Sequence, residues 1–360
     1  MSSRVYLRPT AFVDAPFGLD GQVARLAGGL LFFAAVEAIR VENARTVIEL
    51  IPVEEIEGAL PRLGSAAEAA WRNLTGVRAP LRLGERVIRL DQPQVMGIVN
   101  ATPDSFSDGG QNDDPEAAVG AGFAMSEAGA AMIDVGGEST RPGAKPVWEV
   151  DEIERVEPVI RRLAAGGTAV SVDTRKSSVM EAALSAGAGL VNDVSALTWD
   201  DRAAAAVAQA GCPVVLMHHQ GTPETMQEAP HYDRPVVLEV YDWLELRIAA
   251  AEAAGIARHN ILVDPGIGFG KSVQHNLRLL NNLALLHGLG CPIVLGASRK
   301  RMIGALSGEA PADQRLAGSI ALALKGAEQG AQILRVHDVP ETVQALRVWR
   351  GLRDSALTPS

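Results

Sequence analysis

From residue 94 to residue 338 the sequence repeats one unit eight times. A short apolar, β-branched segment ends in polar or glycine residues, and an alanine-rich stretch follows. The apolar segments are 94–100 (QVMGIVN), 131–138 (AMIDVGGE), 169–174 (AVSVDT), 190–195 (LVNDVS), 213–218 (PVVLMH), 261–266 (ILVDPG), 292–298 (PIVLGAS) and 332–338 (QILRVHD). Stretches between them, such as 115–129 and 201–211, have helical composition. Apolar strands alternating with helices imply parallel pairing, with both sheet faces covered. Eight such units over roughly 250 residues match a (β/α)8 TIM barrel. An open, doubly wound sheet is the competing α/β arrangement; the count of eight and the polar strand ends favour closure.

Residues 1–90 break this period. Segment 46–53 reads as a strand, 52–63 and 65–76 as helices, and 86–94 leads into the barrel. The expected organisation is a small N-terminal α/β appendage of unknown role (1–90), a barrel (91–352) and a frayed tail (353–360). With 47% hydrophobic but only 4% aromatic residues among 360, Val, Ile, Leu and Ala must fill the core. A formal charge of −10 argues against nucleic acid as a partner, because phosphate binding needs a basic surface. The longest apolar run near the N-terminus, 26–39, contains Glu37 and is shorter than the ~20 residues of a membrane span. It also starts late for a signal peptide. Cys212 and Cys291, each in Gly-Cys-Pro, read as small buried fillers in a reducing compartment. A soluble, cytoplasmic protein that does not engage membranes is the expectation.

In a closed barrel the catalytic groups gather at the C-terminal ends of the strands. Those ends carry Asn100, Glu138, Asp173, Asn192 with Asp193, His218, Asp264, Ser298 with Arg299 and Lys300, and Arg335 with His337. Arg335 and His337 are two apart on the last strand, so they share a face. That is where barrels often bind phosphate. Asn100 would be their neighbour across the closure, and its carboxamide oxygen beside a diphosphate is a plausible Mg²⁺ ligand. Asp173, Asn192 and Asp264 need partners if buried. No complementary cation is evident on their own strands, and a flat, nitrogen-rich heterocycle could pair with them. Lys300 could reach a ring carbonyl. The structural alternatives are internal ion pairing, such as Asp264 with Lys300, and a satisfied structural imidazole at His337. Segment 264–272 (DPGIGFGKS) has Pro at 265 where a phosphate loop requires Gly, so its glycines are expected to let the backbone approach a flat ligand. His218, His219 and His231 lack Cys or Glu at zinc spacing. Loops 101–112 and 137–146 are rich in Gly, Ser, Asp, Thr and Pro, and could close over an intermediate.

Seven motifs occur together and in order: NATPDSFSDGG, GGESTRPGA, VDTRK, ND, DPGIGFGK, GASRK and RVHDV. In these the chain resembles the dihydropteroate synthase family over residues 94–350. The resemblance implies a TIM barrel that joins 6-hydroxymethyl-7,8-dihydropterin diphosphate to 4-aminobenzoate with Mg²⁺, releasing pyrophosphate. By matching position it implies a pterin-binding set of Asp173, Asn192, Met217, Asp264, Phe269 and Lys300. It implies a diphosphate set of Asn100, Arg335 and His337, with Asn100 as metal ligand. It places Phe106, Thr140, Arg141 and Pro142 in an aminobenzoate pocket, and Asp108 near the reacting carbon; Asp108, Lys300, Arg335 and His337 form the catalytic set. Sulfonamide sensitivity and a homodimer are family-level implications. His219 and Arg301 depart from the pattern expected, and Arg301 either meets the aminobenzoate carboxylate or faces solvent. A corrinoid-linked pterin methyltransferase would hold no diphosphate, against which the DSFSDGG and RVHDV segments speak. A non-catalytic pterin-binding scaffold is the alternative from another class.

Overall fold

The computed structural model describes residues 4–43, 45–101, 115–138, 146–221 and 226–358. Strands β1 (Tyr6–Val13), β2 (Ala24–Arg25), β3 (Phe32–Glu42) and β4 (Arg45–Pro52) form an antiparallel sheet around β3. Helices α1 (Val53–Leu63) and α2 (Ser65–Thr75) cover one face of it. The core between them contains Leu7, Phe33, Val36, Ile51, Ile56 and Leu74. Much of the apolar run 26–39 is therefore strand β3, which the sequence reading did not assign. Strand β4 and both helices lie where it expected them.

A hairpin follows, β5 (Leu81–Leu83) and β6 (Arg86–Ile88), turning at Gly84 with φ +61°. Leu81, Leu83, Ile88 and Leu90 join Met96, Met132, Ala169, Leu190, Val215, Leu262, Val294 and Ile333 in one buried cluster. The hairpin thus plugs the floor of the barrel.

The barrel strands and helices alternate as the eightfold repeat predicts. They are β7 (Gln94–Asn100), α3 (Pro115–Glu127), β8 (Met132–Gly136), α4 (Glu149–Ala165), β9 (Val170–Asp173), α5 (Ser177–Ala186), β10 (Leu190–Asp193) and α6 (Ala203–Ala210). Then come β11 (Val214–Met217), α7 (Val236–Ala253), β12 (Ile261–Asp264), α8 (Val273–Asn281), β13 (Val294–Leu295), α9 (Arg301–Leu306), α10 (Leu316–Glu328), β14 (Ile333–Val336) and α11 (Val339–Ala356). The strands pair in parallel in the order β12-β11-β10-β9-β8-β7-β14-β13, and a Val263–Ile293 bridge joins the two ends of that order. This is a TIM barrel. Its outward strand residues, such as Val135, Val172, Val191 and Val263, pack against the helices. Helix α11 continues through Ala356, into the stretch 353–360 expected as a frayed tail. Cys212 and Cys291 are free and buried, just ahead of β11 and β13. Among the described residues no helix is long and apolar enough to cross a membrane.

Candidate active site

Strand periodicity builds the site from the floor upward. Side chains two residues apart share a face. Two positions beyond the floor residues Met132, Ala169, Leu190, Val215, Leu262, Val294 and Ile333 lie Asp134, Ser171, Asn192, Met217, Asp264, Gly296 and Arg335. Register pairs Asp134 with Ser171, Asp173 with Asn192, and Met217 with Asp264. A polar tier thus stands on an apolar floor at the carboxyl end of the barrel.

Arg335 organises that tier. Its Nε donates to Asp134 Oδ2 at 2.6 Å and its Nη2 to Asp173 Oδ2 at 2.6 Å. Asn192 Nδ2 donates to the same Asp134 oxygen at 2.9 Å. The cation that the sequence reading did not find for Asp173 is therefore Arg335, arriving from across the barrel. Two acids share one guanidinium. Burial, offset in part by Arg335 and reinforced by Asp134, pushes Asp173 up to about 7. Arg335 stays charged: burial opposes its charge, but Asp134 and Asp173 outweigh it and raise its pKa.

Asp264 is tied differently. Its Oδ1 accepts the Gly266 N–H at 2.6 Å, and Oδ2 lies toward Gly296, where a Cβ would stand 3.6 Å away. That same Cβ would be 4.0 Å from Arg335 Cδ, so Asp264 and Arg335 face one basin, and Gly296 leaves room between them. Burial raises the Asp264 pKa, although the Gly266 N–H works against this. Lys300 sits at the rim with Nζ 4.1 Å from the centroid of the Phe269 ring, a cation–π contact. No Asp264–Lys300 salt bridge forms. Burial, aided by Arg335, lowers the Lys300 pKa to about 8. His337 Nδ1 lies 3.1 Å from Ser298 Oγ, which also accepts the His337 N–H. Burial and then Arg335 depress the His337 pKa to about 3, so its imidazole is neutral. Asn100 is half-buried at the end of β7.

Several strand-end residues do not join this basin, and parity explains two of them. Asp193 and His218 each lie one residue past an inward position, so they point outward. Asp193 accepts the Ser195 and Leu197 N–H groups and the Ser195 hydroxyl, shaping its own turn. His218 packs edge-on against Trp243 and lies 2.8 Å from the buried Lys271 Nζ. Glu138 accepts the Val147 N–H and pairs with Arg175 and Lys176. Arg299 pairs with Asp338. Arg301 is exposed, with no hydrogen bond or ion pair among the described residues. Phe106, Asp108, Thr140, Arg141 and Pro142 lie outside the described residues.

The glycine-rich segment also differs from expectation. Gly266, Gly268 and Gly270 all have positive φ. A Cβ on Gly266 would be 1.8 Å from the His218 carbonyl oxygen, and one on Gly270 2.4 Å from that of Gln220. These two glycines admit the neighbouring 218–220 backbone; only Gly268 faces Lys300, at 3.3 Å. Asp134 is a site residue beyond those expected; its signal in the sequence is an acid in the middle of an apolar strand, which must find a buried partner.

A row of acceptors from Asp134, Asp173, Asn192 and Asp264, closed by Arg335 and Lys300, can hold a flat ring with several N–H groups and a carbonyl. The comparisons agree with this chemistry. The family model described as pterin binding enzyme matches residues 96–337. Dihydropteroate synthase of Escherichia coli is 50% identical over 260 residues, 72% of this chain and 91% of that protein. The Xanthomonas albilineans dihydropteroate synthase solved with 4-aminobenzoic acid is 51% identical with a TM-score of 0.73, covering 77% of this chain and 99% of that one. The same enzyme has been solved with 7,8-dihydropteroate. The Yersinia pestis enzyme, solved with a sulfonamide drug, is 45% identical with a TM-score of 0.73, covering 76% of this chain and 99% of that one. With the barrel, the polar tier and these matches in agreement, the chain belongs to the dihydropteroate synthase family of pterin-binding enzymes.

Proposed function

We propose that this chain condenses 6-hydroxymethyl-7,8-dihydropterin diphosphate with 4-aminobenzoate, giving 7,8-dihydropteroate and pyrophosphate. The observation that carries this reading is the acid tier: Asp134, Asp173, Asn192 and Asp264 around one basin, with Arg335 and Lys300 beside them. The pterin N–H edge would meet the carboxylates, its ring carbonyl Lys300, and its face Met217 and Phe269. Arg335, His337 and Asn100 would hold the diphosphate. The bond between the methylene carbon and the diphosphate oxygen breaks, and its electron pair leaves with the diphosphate. The cation left on the methylene is delocalised into the pterin ring, with Asp108 as the stabilising carboxylate. The aryl amine then attacks that carbon and sheds a proton to solvent. No strong base is required, which suits a site whose one imidazole is neutral and hydrogen-bonded to Ser298.

Among the described residues no group of three or more His, Cys, Asp or Glu could hold a metal by itself. The donors present fit a Mg²⁺ bound chiefly by the diphosphate, with the Asn100 carboxamide oxygen as a protein ligand, because Mg²⁺ favours few protein oxygens plus phosphates. Its contribution when bound would be to neutralise charge on the leaving group. Phe106, Thr140, Arg141, Pro142 and the exposed Arg301 are the residues proposed for aminobenzoate, and sulfonamides would compete there. A homodimer is part of the same reading and is read by sedimentation.

The test is product formation from the two substrates with Mg²⁺. Dihydropteroate and pyrophosphate in equal amounts, both dependent on 4-aminobenzoate, are expected. Pyrophosphate release without aminobenzoate and without product would overturn the reading.

A further inference from the structure

The N-terminal unit lies outside the family match, yet its first described residues bond to the barrel helix α7. Tyr6 donates its hydroxyl to Asp242 on α7, 2.9 Å from both carboxylate oxygens. Arg4 makes a forked pair with Glu245, at 2.5 and 2.6 Å, and approaches Asp242 at 3.2 Å. Below these polar groups the Tyr6 ring meets Tyr241 edge-on at 5.4 Å, and Arg4 lies over both rings. Asp242 in turn accepts from Arg234 Nη2 at 2.7 Å, and Arg234 Nη1 reaches the Tyr6 hydroxyl at 3.5 Å.

Arg234 ends the segment that leads from β11 into α7, and this segment lies on the glycine-rich β12 loop. Tyr232, two residues earlier, donates to the Gly270 carbonyl at 2.9 Å. Gln227 Nε2 donates to the Gly268 carbonyl at 2.5 Å. Between those carbonyls sits Phe269, whose ring carries Lys300, and the loop begins at Asp264. A continuous chain of bonds therefore runs from β1, through Asp242 and residues 226–235, to the backbone that sets Phe269 and Lys300.

We infer that Arg4 and Tyr6 are positioning residues: the N-terminal unit holds the 226–235 segment against the β12 loop and so presets the pterin-binding side of the basin. The inference rests on the pterin reading of that basin. It assigns the N-terminal unit a role in substrate affinity and none in the chemical step. This chain of bonds ends on the β12 loop, at the pterin side of the basin, so it predicts no change in aminobenzoate binding.

The test is a double-mutant cycle in the full-length protein. One arm is R4M/Y6F, which keeps the apolar packing on Tyr241 but removes the bonds to Asp242 and Glu245. The other is Tyr232→Phe, which frees Gly270. Thermal midpoints establish that each variant is folded. R4M/Y6F is expected to raise KM for the dihydropterin diphosphate about fivefold, with kcat and the KM for 4-aminobenzoate unchanged. Combined with Tyr232→Phe, it is expected to raise KM by clearly less than the product of the separate effects, because both arms cut one chain of bonds. An unchanged pterin KM, equal rises in both KM values, or effects that multiply would overturn the inference. Failure of the unmodified chain to make dihydropteroate would instead overturn the reading beneath it.

Discussion

At the scale of single residues, the arrangement turns on one cation shared by two buried acids. Removing it strands both: Arg335→Ala leaves Asp134 and Asp173 without a counter-ion. At pH 8 the loss in unfolding free energy should be about 3–5 kcal/mol, the usual result of breaking a buried pair. Because Asp173, already raised by burial, loses the Arg335 charge that holds it down, it takes up a proton more readily when folded than when unfolded, and the loss should shrink as pH falls toward 4. Urea titrations at several pH values read this, and a pH-independent loss would contradict it. The same residues shape activity. Asp173, pushed up to about 7, and Lys300, pushed down to about 8, bracket a narrow window. The kcat/KM for dihydropterin diphosphate should fall below about pH 7, as the acceptor becomes protonated, and above about pH 8, as the donor loses its proton. In Lys300→Arg the alkaline decline should vanish, since a guanidinium stays charged; a decline at the same pH would contradict the assignment. Asp173, Asn192, Asp264, Lys300 and Arg335 were readable as strand-end residues around one basin, whereas Asp193, His218, Glu138 and Arg299 are strand ends too and do not join it. An acid inside an apolar strand marks Asp134, but the Arg335 pairings were not readable, because a cross-barrel contact leaves no trace in local spacing.

At the scale of elements, the eight barrel strands were legible because strands buried on both faces must be continuously apolar, and the helices between them carried alanine-rich stretches. Strand β3 was harder. Its apolar residues Phe32, Phe33, Ala34, Ala35 and Val36 run together without alternation, since one face meets α1 and α2 while Ile39 on the other joins the barrel core. The β12 loop was recognised, but the reason for its glycines was not. Two of them serve loop-on-loop packing that only the folded chain reveals. Gly266→Ala would force a Cβ to 1.8 Å from the His218 oxygen at a φ of +66°. The chain must shift there, and a stability loss of about 2–4 kcal/mol is expected, together with a raised pterin KM as Asp264 loses its Gly266 N–H. Calorimetry and kinetics on the same variant check both, and a stable variant with unchanged KM would contradict the packing account.

At the scale of the whole molecule, three layers of function stack along the barrel axis. The β5–β6 hairpin seals the floor, the polar tier stands on that floor, and Lys300 over the Phe269 ring marks the rim. The N-terminal unit grips this body from the side, through Tyr6 and Arg4 on α7 and through Arg78, whose Nη2 donates to the His287 carbonyl. The barrel and its mouth could be foreseen because eight repeats admit few closed arrangements. The appendage's grip could not, since it joins residues more than 200 positions apart that carry no motif. The most direct measurement is calorimetric titration of 6-hydroxymethyl-7,8-dihydropterin into the unmodified chain and into Asp264→Asn. One carboxylate oxygen of Asp264 is already committed to Gly266, and the other is the acceptor offered to the ring. Loss of that charged acceptor should weaken binding by about 10- to 100-fold, with the fold intact by circular dichroism. Affinity within twofold of the unmodified chain would mean that the acid tier does not hold a pterin.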